Sequence, residues 1–275
     1  MRDKLREQGN LPNLVIIGAM KCGTSSLHRY LDLHPQIKMS SLKELDFFIT
    51  EKNWNKGEKW YQSNFPHNAE ILGESSPNYT KYPTFKGVPE RMHSLIPDAK
   101  LIYLVRDPIK RVVSHYTHQY TDRVEKRSLA EALVDLQNNH YVNCSRYGMQ
   151  INQFLSYFQL DQILVVSLED LSRNRCLILK KIFSFLGVDE SFIHPDFMQV
   201  FHQSAKKKRL TDFGDRIFKF PFGGRLLNVF PNLMVEDIKS PKISIESQER
   251  LCYILKDDIE YFRKITKQTF SEWLI

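Results

Sequence analysis

The chain has 275 residues, of which 42% are hydrophobic and 26% are charged. These fractions are ordinary for a globular protein and exclude wholesale disorder, and the length suits a single α/β domain over residues 1–275. Lysine and arginine number 39 against 32 acidic residues, a net charge of +7 that favours an anionic ligand or partner. The basic residues form no aromatic-interleaved stripe and no nucleic-acid motif, so binding to nucleic acid is not expected.

The cysteines and the N-terminus bear on the compartment. Cys22, Cys144, Cys176 and Cys252 are widely scattered, with neither metal-ligand nor redox spacing. Free thiols of this kind are typical of a reducing compartment, so a cytoplasmic location is expected. The charged first ten residues lack the apolar stretch of a signal peptide, and no later apolar run approaches transmembrane length. Association with a membrane is therefore not expected.

The first predicted strand, loop and helix form the most informative stretch. The apolar run 14–17 is typical of a strand buried on both faces. After it, apolar and aromatic residues repeat at helical spacing: Leu27, Tyr30, Leu31 and His34. In such a unit the backbone N–H groups and the positive end of the helix dipole point toward the loop between strand and helix, residues 18–25. This arrangement predicts a site for a phosphate or a related anion.

The loop differs from a nucleotide-triphosphate P-loop in the place of its lysine. Gly18 and Gly23 have the required spacing, but Thr24 and Ser25 stand where that motif has lysine followed by serine or threonine. The lysine is Lys21, inside the loop. A lysine about 4 Å from a phosphate oxygen contributes roughly 4 kcal/mol at an effective dielectric constant of about 20, against about 0.3–1 kcal/mol for the helix end. Lys21 is therefore expected to dominate, and a P-loop kinase for a small molecule remains a disfavoured alternative.

Strands and helices alternate along the chain as far as Gly187, which is expected to cap a helix. Further strands are predicted at 100–105 and 162–167, with a short one from residue 71. Helices are predicted at 89–96, 129–136, 151–158, 173–186 and 244–266, and one begins at Pro108. This alternation predicts an α/β fold, a parallel sheet with helices on both faces.

Polar residues follow two of the predicted strands. Glu74, Ser75 and Ser76 end one strand, and Arg106 and Asp107 end the next. Open α/β sheets bind ligands at the carboxyl ends of their strands. Arg106 is therefore a candidate to grip a second phosphate, and an ion pair between Arg106 and Asp107 that caps the turn is the alternative.

The helix after Pro108 carries polar residues three, four or seven positions apart, and this spacing predicts that they share one face. They are Arg111, Ser114, His115 and His118. Ser114 is the candidate partner of Arg106 at the second phosphate.

A charged pair, Lys43 and Glu44, comes just before the aromatic pair Phe47 and Phe48. A carboxylate beside aromatic bulk and near an anion site can be a general base. The alternative is a surface ion pair with both phenylalanines in the core, and composition alone favours this alternative. The aromatic segments 54–61 and 218–230 are candidates to line an acceptor site, although ordinary packing also accounts for the first of them.

Two motifs in order resemble the paired motifs of sulfotransferases that use 3′-phosphoadenosine 5′-phosphosulfate (PAPS). They are Gly18-Ala-Met-Lys-Cys-Gly-Thr-Ser-Ser-Leu27, similar to the 5′-phosphosulfate loop, and Arg106-Asp-Pro-Ile-Lys-Arg-Val-Val-Ser-His-Tyr116, similar to the 3′-phosphate site. Lys43-Glu-Leu-Asp-Phe-Phe48 resembles the segment that holds the proposed base in the heparan-sulfate and bacterial branch, which reverses the interpretation of Glu44. Glu74-Ser-Ser-Pro-Asn-Tyr79 is also similar, but Ser75 stands where that branch often has lysine.

The resemblance implies transfer of a sulfonate group from PAPS to a hydroxyl or amine of a small metabolite or sugar, with PAP as product and no metal. It implies catalytic roles for Lys21, for Glu44 as the base, and for His115 as a weaker candidate base, because its face of the helix can point away from the site. It implies these donor-binding residues: Lys21, Cys22, Gly23, Thr24, Ser25, Ser26, Arg106, Ser114, Tyr147, Lys206, Lys208 and Arg209. A chain without an anchor is most similar to cytoplasmic bacterial relatives, which suggests bacterial secondary metabolism. A non-catalytic module that binds anions or glycans is a further alternative.

Overall fold

The computed structural model describes residues 10–65, 69–199, 207–211, 216–217, 235–238 and 240–275. The aromatic segment 218–230 lies outside this part of the chain, so its predicted role in an acceptor site stays a prediction. The prediction of a single domain over residues 1–275 likewise stays a prediction.

A five-stranded parallel sheet forms the centre, in the order β2-β3-β1-β4-β5. Its strands are β1 (Leu14–Gly18), β2 (Ile37–Met39), β3 (Ile71–Ser75), β4 (Lys100–Val105) and β5 (Ile163–Ser167). β1 lies between β3 and β4, and all five of its residues are buried, as expected for an apolar run covered on both faces. β2 was not predicted, because a three-residue strand is too short to show a pattern.

Helices flank this sheet, which confirms the predicted α/β fold. They are α1 (Thr24–Asp32), α2 (Gly57–Gln62), α3 (Val88–Leu95), α4 (Pro108–Thr121), α5 (Leu129–Ala132), α6 (His140–Asn143), α7 (Tyr147–Leu155), α8 (Leu168–Arg173), α9 (Arg175–Leu186) and α10 (Ile245–Thr266). Short 3₁₀ turns occupy Trp54–Lys56, Pro77–Thr80, Leu160–Gln162 and Pro195–Met198. A separate antiparallel pair joins β6 (Lys207–Leu210) to β7 (Val235–Ile238).

Several helix boundaries differ from the predicted ones. The segment 168–186 forms two helices, α8 and α9, separated at Asn174, and the Ser167 hydroxyl accepts the Asp170 N–H to begin the first. Gly187 ends α9 in the left-handed conformation, φ +81°, as its type predicts. α5 ends four residues early, at Ala132, and α7 begins four residues early, at Tyr147. The pattern located the elements, but local capping set their ends.

The described apolar side chains form one connected core. The inward side of α10 was predicted correctly, since its four apolar residues are fully buried: Leu251, Leu255, Ile259 and Phe262. Trp54 and Trp60 pack against the core and Tyr61 lies within it, which favours a packing role for that segment. All four cysteines lie in the described part of the chain and are unpaired. Among the described helices, none has the length and apolar character needed to cross a bilayer.

Candidate active site

The loop from β1 to α1 lies at the carboxyl edge of the sheet, and two glycines shape it. A Cβ atom on Gly18 would overlap the hydroxyl of Thr80. Gly23 takes φ +89° at the start of α1, and a Cβ there would lie 2.8 Å from Leu168 Cδ1. Both positions therefore require glycine, one for space and the other for space and conformation.

Main-chain and arginine contacts fix the loop against β4 and α4. The Ala19 N–H donates to Leu104 O at 2.6 Å, and the Cys22 N–H donates to Ala19 O at 3.1 Å. Two arginines donate to carbonyl groups of the loop. Arg106 Nη1 donates to Lys21 O at 3.2 Å, and Arg111 Nη1 donates to Met20 O at 3.5 Å. These contacts join the two sequence motifs at one edge of the sheet.

The start of α1 is open to an anion. Its N-cap residue is Gly23, which has no side chain to cap the first turn, and that turn contains no acidic residue. The first N–H groups of a helix lack intrahelical acceptors, and the dipole adds positive potential there. Ser25 and Ser26 are half-buried in the same turn, and Lys21 is half-buried in the loop with φ +73°. The cation, the hydroxyls and the helix end are thus together, as predicted.

Arg106 and Ser114 line one cavity of about 400 Å³, together with Ile109, Thr117 and Leu274. Arg106 Nε is buried and has no hydrogen-bond partner among the described residues. A buried, unpaired Nε on this half-buried arginine suits an anionic ligand.

The alternative role for Arg106, an ion pair with Asp107 that caps the turn, is not found in the described residues. Asp107 instead caps α4 by itself. Its carboxylate accepts the N–H of Lys110 at 2.9 Å and that of Leu274 at 2.8 Å. The guanidinium of Arg106 is therefore not committed to a neighbouring carboxylate.

The predicted shared face of α4 is divided in the structure. Arg111 and His115 are fully buried, whereas Ser114 and His118 are half-buried. Burial, reinforced by the Arg111 charge, holds the pKa of His115 far below its ordinary value. Arg111 Nη1 lies 3.3 Å from His115 Nδ1. Because a guanidinium can only donate, Nδ1 is the acceptor in this hydrogen bond, and the proton of the neutral imidazole is on Nε2. His115 is thus a neutral, enclosed imidazole without access to an incoming acceptor.

His115, His140 and Cys144 bring their potential ligand atoms within 4.8 Å of one another. The donor set does not suit a metal ion, because His115 Nε2 carries a proton. Arg111 and Lys81 add positive charge beside the imidazoles, and burial raises the pKa of Cys144. We therefore assign no metal to this cluster.

Tyr147 and Cys22 lie behind the loop. Tyr147 is fully buried, and its hydroxyl donates to Arg106 O at 2.8 Å and accepts the Arg106 N–H at 3.3 Å. Cys22 Sγ lies 3.9 Å from the same hydroxyl, and burial raises the pKa of this thiol to about 11. The two side chains brace the end of β4 behind Arg106, and neither lines the cavity that Arg106 shares with Ser114.

Glu44 lies at the opposite side of the loop and is open to solvent. Its side chain is 42% exposed, and Lys43 Nζ lies 2.5 Å from Glu44 Oε1. The Glu44 N–H donates to Ser75 O at 3.0 Å, and φ is +63°. Phe47 and Phe48 are buried in the core. Phe47 and Phe48 therefore pack in the core, as the alternative of a surface ion pair with buried phenylalanines predicted. The Glu44 carboxylate remains accessible to a reacting molecule.

Comparison with known proteins agrees with this geometry. The model of the sulfotransferase domain matches residues 11–212 of the chain. The chain belongs to the sulfotransferase family.

Relatives of this sulfotransferase include the bifunctional heparan sulfate N-deacetylase/N-sulfotransferase 1 of Caenorhabditis elegans, 28% identical over 196 residues. Another is the human heparan sulfate glucosamine 3-O-sulfotransferase 5, 32% identical over 168 residues. The matches cover 66% and 57% of this chain but only 22% and 47% of the relatives. The chain thus spans less than half the length of these relatives.

A solved structure, a sulfotransferase from Alicyclobacillus acidocaldarius, has the same fold. Its TM-score to this chain is 0.72 at 24% identity, and the alignment covers 96% of this chain and 99% of that one. The predicted resemblance to sulfotransferases of the heparan-sulfate and bacterial branch is therefore confirmed.

At the end of β3 this sulfotransferase has serine where the resemblance led us to expect lysine. Ser75 is fully buried, and its hydroxyl has no partner among the described residues. Glu74 beside it is also fully buried, and burial raises the pKa of its carboxyl to about 7. The sequence predicts Glu74 at the ligand-binding edge of the sheet but not its complete burial. The signal for that burial is an acidic residue directly after an apolar strand segment.

The late basic run is only partly described, and Lys206 lies outside the described residues. Lys208 and Arg209 belong to β6, where their backbones pair with Asp237 and Glu236 of β7. β6 packs beside α4, the helix that carries Ser114.

Proposed function

We propose that this sulfotransferase moves a sulfonate group from PAPS to a hydroxyl or amine of a small metabolite or sugar. The observation that carries the proposal is the contact between Arg106 Nη1 and Lys21 O at 3.2 Å. It joins a lysine-containing loop suited to a 5′-phosphosulfate to an arginine suited to a 3′-phosphate. ATP has no 3′-phosphate, so this pairing favours PAPS over the donor of a kinase.

The residues of the loop and the cavity fit such a donor. The N–H groups at Gly23 and Thr24 and the hydroxyls of Ser25 and Ser26 would hold the 5′-phosphosulfate. Arg106 and Ser114 would hold the 3′-phosphate, using the buried Nε donor. Gly18 and Gly23 keep side chains out of the loop. The bound donor supplies an activated sulfonate with PAP as its leaving group.

The acceptor would be activated by Glu44, whose exposed carboxylate can reach an incoming hydroxyl or amine. The acceptor atom attacks sulfur as the bond from sulfur to the phosphate oxygen breaks, and Glu44 takes the acceptor proton. Lys21 stabilises the negative charge that develops on the leaving phosphate. Lysine and backbone donors thus perform the neutralisation that Mg²⁺ provides in kinases, and positioning supplies most of the remaining rate enhancement.

Other residues receive supporting roles. His115 is enclosed, so the proposal assigns the base to Glu44 alone. Tyr147 and Cys22 support the Arg106 backbone. The basic run, Lys206, Lys208 and Arg209, is proposed to contact the donor from the side of α4. The four unpaired cysteines support action in a reducing, cytoplasmic compartment. We propose neither a membrane nor a nucleic-acid partner.

A thermal-shift comparison of PAP with ATP and Mg²⁺ tests the donor. PAP at 100 times its Kd should stabilise the protein by about 2.7 kcal/mol, whereas ATP with Mg²⁺ should leave the melting temperature nearly unchanged. The reverse result would identify a kinase instead.

Acceptors can then be surveyed by PAP release from PAPS. The panel would contain N-desulfated heparin oligosaccharides, 4-nitrophenol and an aminosugar. Turnover with a sugar or a phenol would name the acceptor class. If the protein binds PAP but turns over no acceptor, and if Glu44→Gln leaves PAP binding unchanged, the protein would instead be an anion-binding module.

A further inference from the structure

Glu74 takes no part in the chemistry proposed above, yet it is enclosed at the centre of the acceptor side. Its Oε1 accepts hydrogen bonds from the hydroxyls of Tyr61, at 2.6 Å, and Tyr79, at 2.9 Å. Its Oε2 accepts one from the hydroxyl of Ser76 at 2.6 Å. Among the described residues no lysine or arginine forms an ion pair with it. A buried carboxyl without a cation is costly, so its presence requires an explanation.

Two of the three hydroxyls connect Glu74 to the segment that carries Glu44. Ser76 Oγ accepts the N–H of Asp46 at 3.0 Å, and Tyr79 Oη lies 3.5 Å from the N–H of Phe48. A hydroxyl has one proton and two lone pairs. Because each hydroxyl gives its proton to Glu74, its lone pairs are left for the amides. The carboxylate of Glu74 therefore sets the direction of both links.

The segment that receives these links is held in an uncommon conformation. Glu44 has φ +63° and Asp46 has φ +47°, the left-handed region that favours glycine. Such residues persist when the surrounding structure holds them. The contacts that hold it include the Glu44 N–H to Ser75 O, at 3.0 Å, and the two links from Glu74. Asn53 and Asn78 add side-chain hydrogen bonds to Leu45 O, at 2.7 Å, and to Asp46 Oδ2, at 2.8 Å. Glu74 thus contributes to the direction of the Glu44 side chain through the backbone amides of Asp46 and Phe48.

We propose that Glu74 is a positioning residue for sulfonate transfer, acting through Ser76 and Tyr79 to hold the Glu44–Phe48 segment so that the Glu44 carboxylate meets the acceptor. The inference rests on the proposed function, because it takes Glu44 as the base. Tyr61 also donates to Glu74, but among the described residues its hydroxyl bonds to no amide of the segment. Its ring stacks on Phe47 at 4.2 Å, a contact that phenylalanine would keep. Tyr61→Phe is therefore a matched control.

The test compares Ser76→Ala, Glu74→Gln and their combination with that control. An amide has a single acceptor oxygen, so glutamine cannot accept all three hydroxyl protons. We expect Ser76→Ala and Glu74→Gln each to lower kcat for PAP formation from PAPS by about ten- to hundredfold, since small displacements of a reacting group have effects of this size. The Kd for PAP should stay unchanged, because the donor loop is untouched.

Two further readouts separate positioning from a general loss of structure. Hydrogen exchange of the Asp46 amide should accelerate in Ser76→Ala and Glu74→Gln but not in Tyr61→Phe. Glutamine can keep its oxygen at the place of Oε1, where Tyr61 and Tyr79 donate, and it then loses only the hydrogen bond from Ser76. The double variant should therefore be no slower than Ser76→Ala alone.

Losses in kcat that multiply in the double variant, or unchanged exchange at Asp46, would overturn the inference. If the wild-type protein binds PAP but turns over with no acceptor in the panel, the proposed function fails. In that case the exchange data still decide whether Glu74 holds the segment.

Discussion

The donor side and the acceptor side of the site are held by different means. On the donor side, Arg106 reaches the Lys21 carbonyl, and the buried hydroxyl of Tyr147 grips the Arg106 backbone from behind. These contacts lie at the ends of β1 and β4, neighbouring strands of the sheet. On the acceptor side, Glu44 is exposed and its segment depends on hydroxyl groups that converge on Glu74.

Because the two sides are held by different means, they differ in how much of their structure the local sequence reveals. A donor pocket anchored in central strands cannot change without disturbing the core, so its motifs can be recognised from local sequence. The segment that carries Glu44 is held by side-chain hydrogen bonds between residues distant in the sequence, so no local motif records how Glu44 is placed. If the two sides are separate, changes on the donor side should alter donor binding or the charge on the leaving phosphate. Changes on the acceptor side should lower turnover without altering the affinity for PAP.

The largest effect is expected at Lys21. Lys21→Met should lower kcat by about a thousandfold, because it removes the cation that stabilises charge on the leaving phosphate. The measurement is PAP release from PAPS under saturating donor. Lys38→Met, which removes an exposed lysine from the edge strand β2, serves as the control and should retain normal turnover. A loss below about tenfold for Lys21→Met would show that backbone donors dominate the loop.

On the acceptor side, Glu44→Gln should lower kcat at least about a hundredfold, the lower end for a general base, with the Kd for PAP nearly unchanged. The matched control is Glu51→Gln, another exposed glutamate a short distance along the chain. Near-normal turnover of Glu44→Gln would remove Glu44 from the mechanism. A parallel loss of PAP affinity would show that the two sides are not separate.

The acceptor side should also carry a pH-dependent part of the stability. Burial raises the pKa of Glu74 from 4.5 to about 7, while its hydrogen bonds from Tyr61, Tyr79 and Ser76 lower it and the charge of Asp46 raises it further. The folded state therefore binds the proton of the Glu74 carboxyl more tightly than the unfolded state does. The stability that this proton contributes to the folded state is complete below about pH 4.5 and is lost as pH rises through about 7.

Urea unfolding of the wild type and of Glu74→Gln, measured from pH 4 to pH 8, checks this pH dependence. The glutamine variant should lack a decline of up to about 3 kcal/mol over that interval. Parallel curves for the two proteins would contradict the raised pKa.

What the sequence allowed us to predict follows the same division. The strand β1, its loop and α1 were predicted because a long apolar run, two glycines and a helical repeat are all local signals. Arg106 at the end of β4 was predicted for the same reason. The link from Glu74 through Ser76 to the Asp46 amide joins residues about thirty positions apart, and no pattern within one element records it.

Burial inside a recognised element was also beyond local patterns. His115 and Ser114 are adjacent on α4, yet one is enclosed beside Arg111 and Tyr141 while the other lines the cavity of Arg106. A spacing rule places both on a helix but does not show what packs against each side. The interpretation of His115 as a weaker candidate base depended on that unknown packing.

The smallest predicted effect concerns selectivity on the donor side. Arg106→Ala should weaken binding of PAP by about ten- to hundredfold, the range for a lost charge-assisted hydrogen bond. Binding of adenosine 5′-phosphosulfate, which has no 3′-phosphate, should change much less. Calorimetric titration of both ligands gives the comparison directly. Equal losses would mean that Arg106 only braces the loop through the Lys21 carbonyl, and the distinction between PAPS and ATP would then have to come from Ser114 or the basic run.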